Sequence, residues 1–393
     1  MLQKSSAKRR QSFGDFLAVL LLIAIVAGMG WLWWHQKHPK KVLRHKILTA
    51  VQPAQPAKVQ PAAPVIAPII VPATPPTSPP TPPAPAAKPV EAPPAPPPVV
   101  VSQPQTEFPR AARDVFEAQI ALARRVISPG PIDGAMGSQT RAAIAAFQRL
   151  ESLSESGRLD TDTLAHLTLA APSFTTYSVT TNDLARLQPL GKTWLAKSQQ
   201  SALEYETILE LVGEKFHAHV LLIRKLNPAV DWTQVAAGTV LKVPDVDYPE
   251  PNDKAAFVVI HLSEKLLEAF DAQTNLVAHF PCSIAAKVEK RPVGELHVSV
   301  IAPNPNYTFD PAVFPESPEA QQIGHKLILP PGPNNPVGVA WIGLDKPGYG
   351  IHGTPAPEQV GRTESHGCFR LTNWDAEYFL KLAWIGLPVE VVP

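Results

Sequence analysis

A proline-rich segment divides this chain into parts that cannot share one hydrophobic core. Of the 46 prolines in the chain, 21 lie between Val51 and Arg110, interleaved mostly with alanine, valine and threonine. Proline fixes φ and lacks a backbone N–H, so such a tract favours polyproline II and buries little apolar surface. The sequence therefore predicts a multidomain chain in which residues 35–109 are a linker. A ligand for a proline-recognition domain is the alternative interpretation.

An apolar run precedes this linker. Residues 16–34 contain no charged side chain, and a helix of that length nearly spans the roughly 30 Å hydrocarbon core of a bilayer. We predict a transmembrane helix there, with residues 1–15 as a short cytoplasmic N-terminus. A cleaved signal peptide is the alternative, although Ala27-Gly28-Met29-Gly30 offers small residues without a clear cleavage motif. Positive charge flanks both ends of the run, so charge alone does not fix the topology.

Charge and cysteine content exclude several classes of protein. The 35 Lys and Arg side chains balance 34 Asp and Glu for a net charge of +1, which gives no electrostatic case for a nucleic-acid partner. The two cysteines, Cys282 and Cys368, are too few for a disulfide framework or a thiolate metal site. No cofactor and no bound metal are expected. Cys282 lies in an apolar, strand-like run and is predicted to be a buried thiol.

The segment at 110–172 has the pattern of a small all-α module. Apolar side chains recur at helical spacing over 115–126 and 140–150, and a third helix is predicted to begin near Thr161. Ser138 is expected to cap the second helix. The segment resembles the three-helix peptidoglycan-binding module, and a helical spacer that binds nothing is the alternative. The resemblance rests on Ile132-Asp133-Gly134, Gly137, Thr140, Ala143, Phe147-Gln148, Gly157, Asp160, Thr163 and Leu164.

The segment at 175–247 is predicted to be a small α+β module. Its predicted elements are a strand at 177–180, helices at 209–216 and 220–226, and a strand at 238–244. Together with Leu226-Asn227-Pro228, this order looks like the glycan-binding LysM fold. A long insert from about Leu184 to Tyr205 departs from that fold, so a purely structural module is the alternative.

Beyond Pro251 the chain changes to short β-branched and aromatic runs divided by turns. This pattern predicts a mainly β domain over residues 252–393, with one clear helix over 374–382. Its predicted strands cover 257–262, 266–270, 277–280, 296–300, 339–342 and 389–392.

This last domain contains two histidines close in sequence to Cys368, in His352-Gly353-Thr354 and Ser365-His366-Gly367-Cys368-Phe369-Arg370. A thiolate is a strong nucleophile and a neutral thiol a weak one, so a catalytic cysteine needs a base such as His352 or His366. Gly367 permits a tight turn that presents backbone N–H groups to an oxyanion. Arg370 is expected to bind a substrate carboxylate through two parallel N–H groups. A zinc site and a buried thiol are the alternatives, but the spacing is awkward for chelation.

These motifs resemble the signature of the L,D-transpeptidase (YkuD) catalytic family, and the resemblance extends over 253–393. The resemblance implies a YkuD-like β-sandwich. Arg291, Phe369 and Leu371 replace the commoner residues of the family, and none of them carries a reacting atom. Supporting segments are Pro292-Val293-Gly294-Glu295, the run from Pro330 to Gly338, and Gly348-Tyr349-Gly350-Ile351.

The resemblance implies a reaction in which Cys368 forms a thioester with a peptidoglycan stem peptide and a second stem resolves it into a 3→3 cross-link. His352 would be the general base, with His366 as the alternative base. The Gly353 carbonyl would orient the imidazole, and the N–H groups of Gly367 and Cys368 would stabilise the oxyanion. The residues expected to bind substrate are Arg370, Ser365, His366, Tyr349 and Thr354.

The same resemblance implies the partners, and together with the transmembrane helix predicted at 16–34 it implies the location. The expected partners are peptidoglycan stem peptides and glycan, with carbapenem β-lactams as acylating ligands. The protein is expected to be a single-pass protein of the inner (cytoplasmic) membrane, with its catalytic domain on the periplasmic side. An L,D-carboxypeptidase that hydrolyses the same acyl-enzyme and a non-catalytic wall-anchoring protein are the alternatives.

Overall fold

The structure, a computed structural model, describes residues 107–314, 316–362 and 367–393. Its helices are α1 Val115–Ala123, α2 Ser138–Leu150, α3 Thr161–His166, α4 Thr181–Ala185, α5 Trp194–Ser198, α6 Ile208–Lys215, α7 Val220–Leu226, α8 Pro318–Ile323 and α9 Asn373–Leu382. Its strands are β1 Arg110–Ala111, β2 Thr168–Leu169, β3 Phe174–Ser178, β4 Val240–Pro244, β5 Phe257–His261, β6 Leu266–Phe270, β7 Leu276–Pro281, β8 Gly294–Pro303, β9 Tyr307–Phe309, β10 Leu327–Leu329, β11 Ala340–Leu344, β12 Gly350–His352, β13 Phe369–Arg370 and β14 Pro388–Val392.

The predicted transmembrane helix at 16–34 lies outside the described residues, as do the predicted cytoplasmic N-terminus and the linker up to residue 106. Within the described ranges, no helix combines the length and the apolar character needed to cross a bilayer.

Helices α1, α2 and α3 pack together at the N-terminal end of the described chain. Helix α1 begins where the Asp114 carboxylate accepts a hydrogen bond of 2.8 Å from the Glu117 N–H, as an N-cap side chain does. Phe147 of α2 is buried in the core that α1 shares with this helix. Gly137, not Ser138, occupies the N-cap of α2 and no side chain caps it, so the predicted Ser138 cap is wrong.

Strands β3 and β4 pair antiparallel, with Tyr177 opposite Leu241, and helices α6 and α7 lie between them in the chain. The inward side chains Leu241 and Val212 are fully buried. The insert at 184–205 begins at the end of the short helix α4 and contains the short helix α5. The order of these elements is therefore βααβ with an extra segment before α6, as the sequence predicts for this module.

The C-terminal domain is built around one large sheet, which confirms that the domain is mainly β. Among the described residues, eight strands lie in the order β13-β12-β11-β8-β14-β5-β6-β7. Strand β8 pairs with β14 through its first half, from Gly294 to His297, and with β11 through its second half, from Val298 to Pro303. Strand β8 is hydrogen-bonded to both halves and therefore joins the halves of the predicted sandwich into one continuous sheet.

Helix α9 packs on this sheet through Phe379 and Leu382, which are buried in the same core as Val258 and Ile342. The Thr372 hydroxyl caps α9 by accepting a hydrogen bond of 3.2 Å from the Asp375 N–H. The first turn of α9 thereby lies directly after β13 and beside the loop that follows β12.

A small cluster apart from the main core is formed by β9, α8 and β10, which we call the cap. Strands β9 and β10 pair antiparallel, with Phe309 opposite Leu327. Phe309 and Leu329 are fully buried in this cluster, together with Leu203 from the insert of the βααβ unit. The cap is therefore stabilised by a segment that lies more than a hundred residues earlier in the chain.

The helical module is joined to the sheet by backbone hydrogen bonds. The His279 N–H of β7 donates to the Val126 carbonyl at 3.0 Å, and the Ser128 N–H donates to the His279 carbonyl at 2.8 Å. Arg149, at the end of α2, forms an ion pair with the buried Glu268 of β6. These contacts fix the module against the edge of the sheet opposite to β13.

Candidate active site

Parallel pairing of β12 and β13 brings the two sequence motifs together. Ile351 lies opposite Phe369, and His352 lies opposite Arg370. The Leu371 N–H continues the ladder by donating to the His352 carbonyl at 2.8 Å. Continuing this register, Cys368 directly precedes β13 and lies level with Gly350, two residues before His352, so the thiol and the imidazole belong to the same face of the sheet.

Four residues predicted for the site line a single cleft of about 470 Å³: Cys368, His352, Gly367 and Arg370. Cys368 is half-buried, and its Sγ lies 3.6 Å from the Gly348 carbonyl oxygen. The other lining residues are Trp194, Lys290, Tyr307, Thr308, Val313, Phe314, Pro336, Val337, Trp341 and Gly348. The cleft therefore combines a thiol, an imidazole, two cations and an aromatic wall.

The orientation of the His352 ring is fixed by a hydrogen bond of 2.6 Å between its Nδ1 and the Gly353 carbonyl. A carbonyl only accepts, so Nδ1 carries the proton and Nε2 has the free lone pair. The Trp341 ring stacks on the imidazole with ring centroids 5.6 Å apart. Burial lowers the pKa of His352 to about 4, opposed in part by the bond to Gly353. The imidazole is therefore neutral at pH 7, with Nε2 able to accept a proton.

The Cys368 thiol is not pre-ionised. Burial raises its pKa above the ordinary value, and a hydrogen bond from the Gly350 backbone and the charge of Arg370 only partly offset this effect. At neutral pH the free site therefore holds a neutral thiol and a neutral imidazole. A nucleophilic attack by Cys368 requires its proton to move to a base during the attack.

We expect the alkylation of Cys368 by iodoacetamide to increase with pH and to reach its midpoint at a higher pH than for an ordinary cysteine, because a raised thiol pKa leaves little thiolate at neutral pH. The rate is measured by intact-protein mass spectrometry across the pH range. Cys368→Ala is the control, since the fully buried Cys282 also has a pKa raised by burial. A midpoint near pH 6 would show a preformed thiolate–imidazolium pair instead.

Arg370 and Lys290 give the cleft its positive charge. Arg370 is half-buried, and its backbone exchanges hydrogen bonds of 2.9 and 3.0 Å with Ser283. Lys290 ends the 3-10 turn Val288–Lys290. An arginine keeps its charge when partly buried and binds carboxylates through two parallel N–H groups. The cleft thus suits a ligand that carries a carboxylate on a partly apolar body.

Two other predicted residues lie beside the cleft and do not line it. Thr354 is 7% exposed, and its Oγ1 accepts a hydrogen bond of 3.4 Å from the Ala356 N–H. The Tyr349 ring packs partly on the sheet core and lies under the Lys346 ammonium, 4.9 Å from the ring centroid. The predicted Ser365 and His366 lie outside the described residues, so their roles stay predictions.

Several lining residues were not found from the sequence. Trp341 lies opposite His352 across β11 and β12, but a predicted strand alone does not show which partner its side chain faces. Lys290 lies in a 3-10 turn and Tyr307 begins strand β9, both far in sequence from the two motifs. Trp194 belongs to another module. Only the tertiary packing brings these side chains to Cys368.

Two parts of the chain match known families. Residues 255–391 match the family described as the L,D-transpeptidase catalytic domain. Residues 112–167 match the family described as a putative peptidoglycan binding domain. The βααβ unit between these two segments falls outside both matches.

Curated relatives match the chain over about half its length. The putative L,D-transpeptidase YkuD of Bacillus licheniformis is 24% identical over 185 residues, which cover 47% of this chain and 93% of that protein. The probable L,D-transpeptidase YbiS of Escherichia coli is 28% identical over 186 residues, which cover 47% of this chain and 60% of that protein. The crystal structure of L,D-transpeptidase 3 from Mycobacterium tuberculosis aligns at 18% identity with a TM-score of 0.29, over 41% of this chain and 77% of that chain.

Proposed function

We propose that the L,D-transpeptidase catalytic domain of this chain, residues 255–391, cross-links peptidoglycan stem peptides through a thioester on Cys368. The observation that carries the proposal is the position of Cys368 and His352 in one cleft, with Nδ1 of His352 bonded to the Gly353 carbonyl. A thiol beside a neutral imidazole of fixed tautomer is the arrangement that acyl transfer to sulfur needs.

In the first step, Sγ of Cys368 attacks the carbonyl carbon that joins the diamino acid of a tetrapeptide stem to its terminal D-Ala. The thiol proton moves to Nε2 of His352 and then to the amine of the departing D-Ala, so the carbon–nitrogen bond breaks as the thioester forms. The backbone N–H groups of Gly367 and Cys368 are proposed to stabilise the oxyanion, each contributing about 3 kcal/mol by analogy with other acyl transferases.

In the second step, the side-chain amine of another stem attacks the thioester. His352 accepts a proton from this amine through Nε2, and the Cys368 thiolate leaves and is reprotonated. The product is a 3→3 cross-link between the diamino acids of two stems. Arg370 and Lys290 are proposed to bind carboxylates of the stem peptides within the same cleft.

The remaining segments are proposed to place the catalytic domain at the cell wall. The helical module matches a putative peptidoglycan binding domain over 112–167, and the βααβ unit is proposed to bind glycan as a LysM-like module. The apolar run at 16–34 is proposed to anchor the protein in the inner membrane, with the linker at 35–109 extending toward the wall. At about 3.1 Å per residue, such a linker extends at most on the order of 200 Å.

The test is to incubate the full-length protein with a disaccharide-tetrapeptide and to follow both the protein mass and the peptide products. We expect an adduct that lacks the terminal D-Ala, together with 3→3 dimers, on the wild type and neither on Cys368→Ala. An adduct that yields only the tripeptide would establish an L,D-carboxypeptidase. The absence of any adduct on the wild type would favour a wall-anchoring protein.

A further inference from the structure

The insert of the βααβ unit forms a defined segment, residues 186–205, which we call the arm. Its two ends are joined by a hydrogen bond of 2.9 Å from the Gln188 N–H to the Tyr205 carbonyl. Within it, the Gly191 N–H donates to Gln200 Oε1 at 2.8 Å. The arm is therefore a closed loop with internal hydrogen bonds.

The arm is bound to the catalytic domain at Leu203. The Leu203 N–H donates to the Pro331 carbonyl at 2.8 Å, and the Leu203 carbonyl accepts from the Asn334 N–H at 2.9 Å. A Cβ atom placed on Gly332 would lie 2.2 Å from the Leu203 carbonyl oxygen, at a φ of +142° that side chains rarely adopt. Gly332 thus gives the arm the close approach that this pair of hydrogen bonds requires. The Leu203 side chain is fully buried in the cap.

The arm meets the cap a second time at Trp194, the first residue of α5. The Trp194 N–H donates to Oε1 of Glu319 in α8 at 2.5 Å. Its ring stacks on Phe309 with centroids 4.5 Å apart and an interplanar angle of 16°. Phe314 lies beside the same ring at a centroid distance of 6.0 Å. These contacts fix the indole, which lines the cleft that contains Cys368.

We infer that Trp194 is a binding residue for the acyl-donor stem, so that the donor site is built from two modules; this inference rests on the proposed function. The donor must occupy the cleft during attack, and its acyl part stays there as the thioester. Trp194 and Tyr307 supply aromatic surface in the same cleft as the cations Arg370 and Lys290. Aromatic surface beside fixed charges suits a peptide whose hydrocarbon side chain lies next to carboxylates.

The test uses the full-length protein and measures the acylation of Cys368 by a disaccharide-tetrapeptide at a series of donor concentrations. The acyl-enzyme is followed by intact-protein mass spectrometry. For Trp194→Ala we expect the donor concentration at half-maximal acylation to increase about tenfold, with the maximal rate within about twofold of the wild type. Trp194→Phe keeps part of the aromatic surface, and we expect a smaller increase. Leu195→Ala is the matched control, because Leu195 is the next residue of α5 and is 46% exposed.

Alkylation of Cys368 by iodoacetamide reports separately on the integrity of the cleft, and we expect its rate to stay unchanged in the Trp194 variants. An unchanged half-saturating donor concentration in Trp194→Ala would overturn the inference. The inference would also be overturned if Trp194→Ala changed only the acceptor concentration needed to resolve the thioester. The same holds if the alkylation rate fell in parallel with the acylation rate, because the whole cleft would then be disturbed. If the wild type forms no adduct, the proposed function fails, whereas an adduct with no effect of Trp194 rejects the inference alone.

Discussion

Replacing His352 with asparagine is expected to reduce the rate of acylation of Cys368 by a disaccharide-tetrapeptide about a thousandfold. The asparagine side chain is polar and similar in size to that of histidine, but it has no basic nitrogen that could accept a proton as Nε2 does. The pKa of the Cys368 thiol is raised by burial, so a site without a base depends on a small fraction of thiolate. The rate is measured in a single turnover from the mass of the acyl-enzyme.

The pH dependence of the same variant tests the reason for the loss. In the wild type, His352 is neutral above a pKa of about 4, so its ability to accept a proton is lost only as the pH falls toward that value. In His352→Asn, the residual rate should increase about tenfold per pH unit up to the thiol pKa, because only thiolate formed in the free site reacts.

A matched control is His166→Asn, which changes an exposed histidine at the end of α3. We expect acylation by this variant to equal that of the wild type. A loss of less than tenfold in His352→Asn would contradict the role of His352 and would favour His366 as the base. His366→Asn would then show the large loss instead.

The residues of the candidate site could be predicted because they stand in short sequence motifs. His352 and Gly353 are adjacent, and so are Gly367 and Cys368, so their local backbone decides much of their geometry. The sequence predicts no strand between residues 342 and 389, so strands β12 and β13 and their parallel pairing come from the structure alone. The hydrogen bond from His352 Nδ1 to the Gly353 carbonyl agrees with the role that the family resemblance implies for Gly353.

The contacts between modules were not predictable by the same means. Leu203 and Gly332 are in contact although more than a hundred residues separate them in the sequence. The sequence around either residue does not predict this contact. The half-buried Trp194 lies in an insert that the sequence marks only as a departure from a LysM-like fold. Strand β8 looks like any other strand in sequence, yet its length lets it pair with both β14 and β11. Contacts between distant segments and the pairing partners of a strand depend on tertiary packing. The hydrophobic periodicity of a sequence reports only local helices and strands.

The largest expected effect on stability comes from Glu268→Ala, which we expect to lower the free energy of unfolding by about 3–5 kcal/mol. Glu268 is 3% exposed, and its carboxylate accepts a hydrogen bond of 3.0 Å from His279 Nδ1. It also pairs with Arg149 of α2 and lies 3.5 Å from His261 Nε2. Alanine leaves the fully buried His279 without this partner and removes an ion pair between the helical module and the sheet. Thermal unfolding of the full-length protein should show a Tm lower by about 10 °C.

The loss should also depend on pH with a defined sign. Burial raises the pKa of Glu268, but the hydrogen bonds from His261 and His279 and the charge of Arg149 outweigh burial, so the pKa lies well below its usual range. A carboxyl group whose pKa is depressed by folding stabilises the folded state above its unfolded pKa of about 4, and this contribution is lost as the pH falls below that value. The difference in stability between the wild type and Glu268→Ala should therefore be full at pH 7 and become smaller as the pH approaches 3.

Two further variants separate the charge of Glu268 from its size. Glu268→Gln keeps the shape and one acceptor oxygen, so we expect it to be less destabilising than Glu268→Ala and to show no decrease of stability attributable to this position between pH 7 and pH 3. Glu264→Ala removes an exposed carboxylate from the turn before β6 and should change the stability by less than about 0.5 kcal/mol. Equal stability losses in Glu268→Ala and Glu264→Ala would mean that the buried carboxylate does not hold the helical module against the sheet. The docking would then depend on the backbone bonds between His279, Val126 and Ser128, since these hydrogen bonds do not involve the carboxylate.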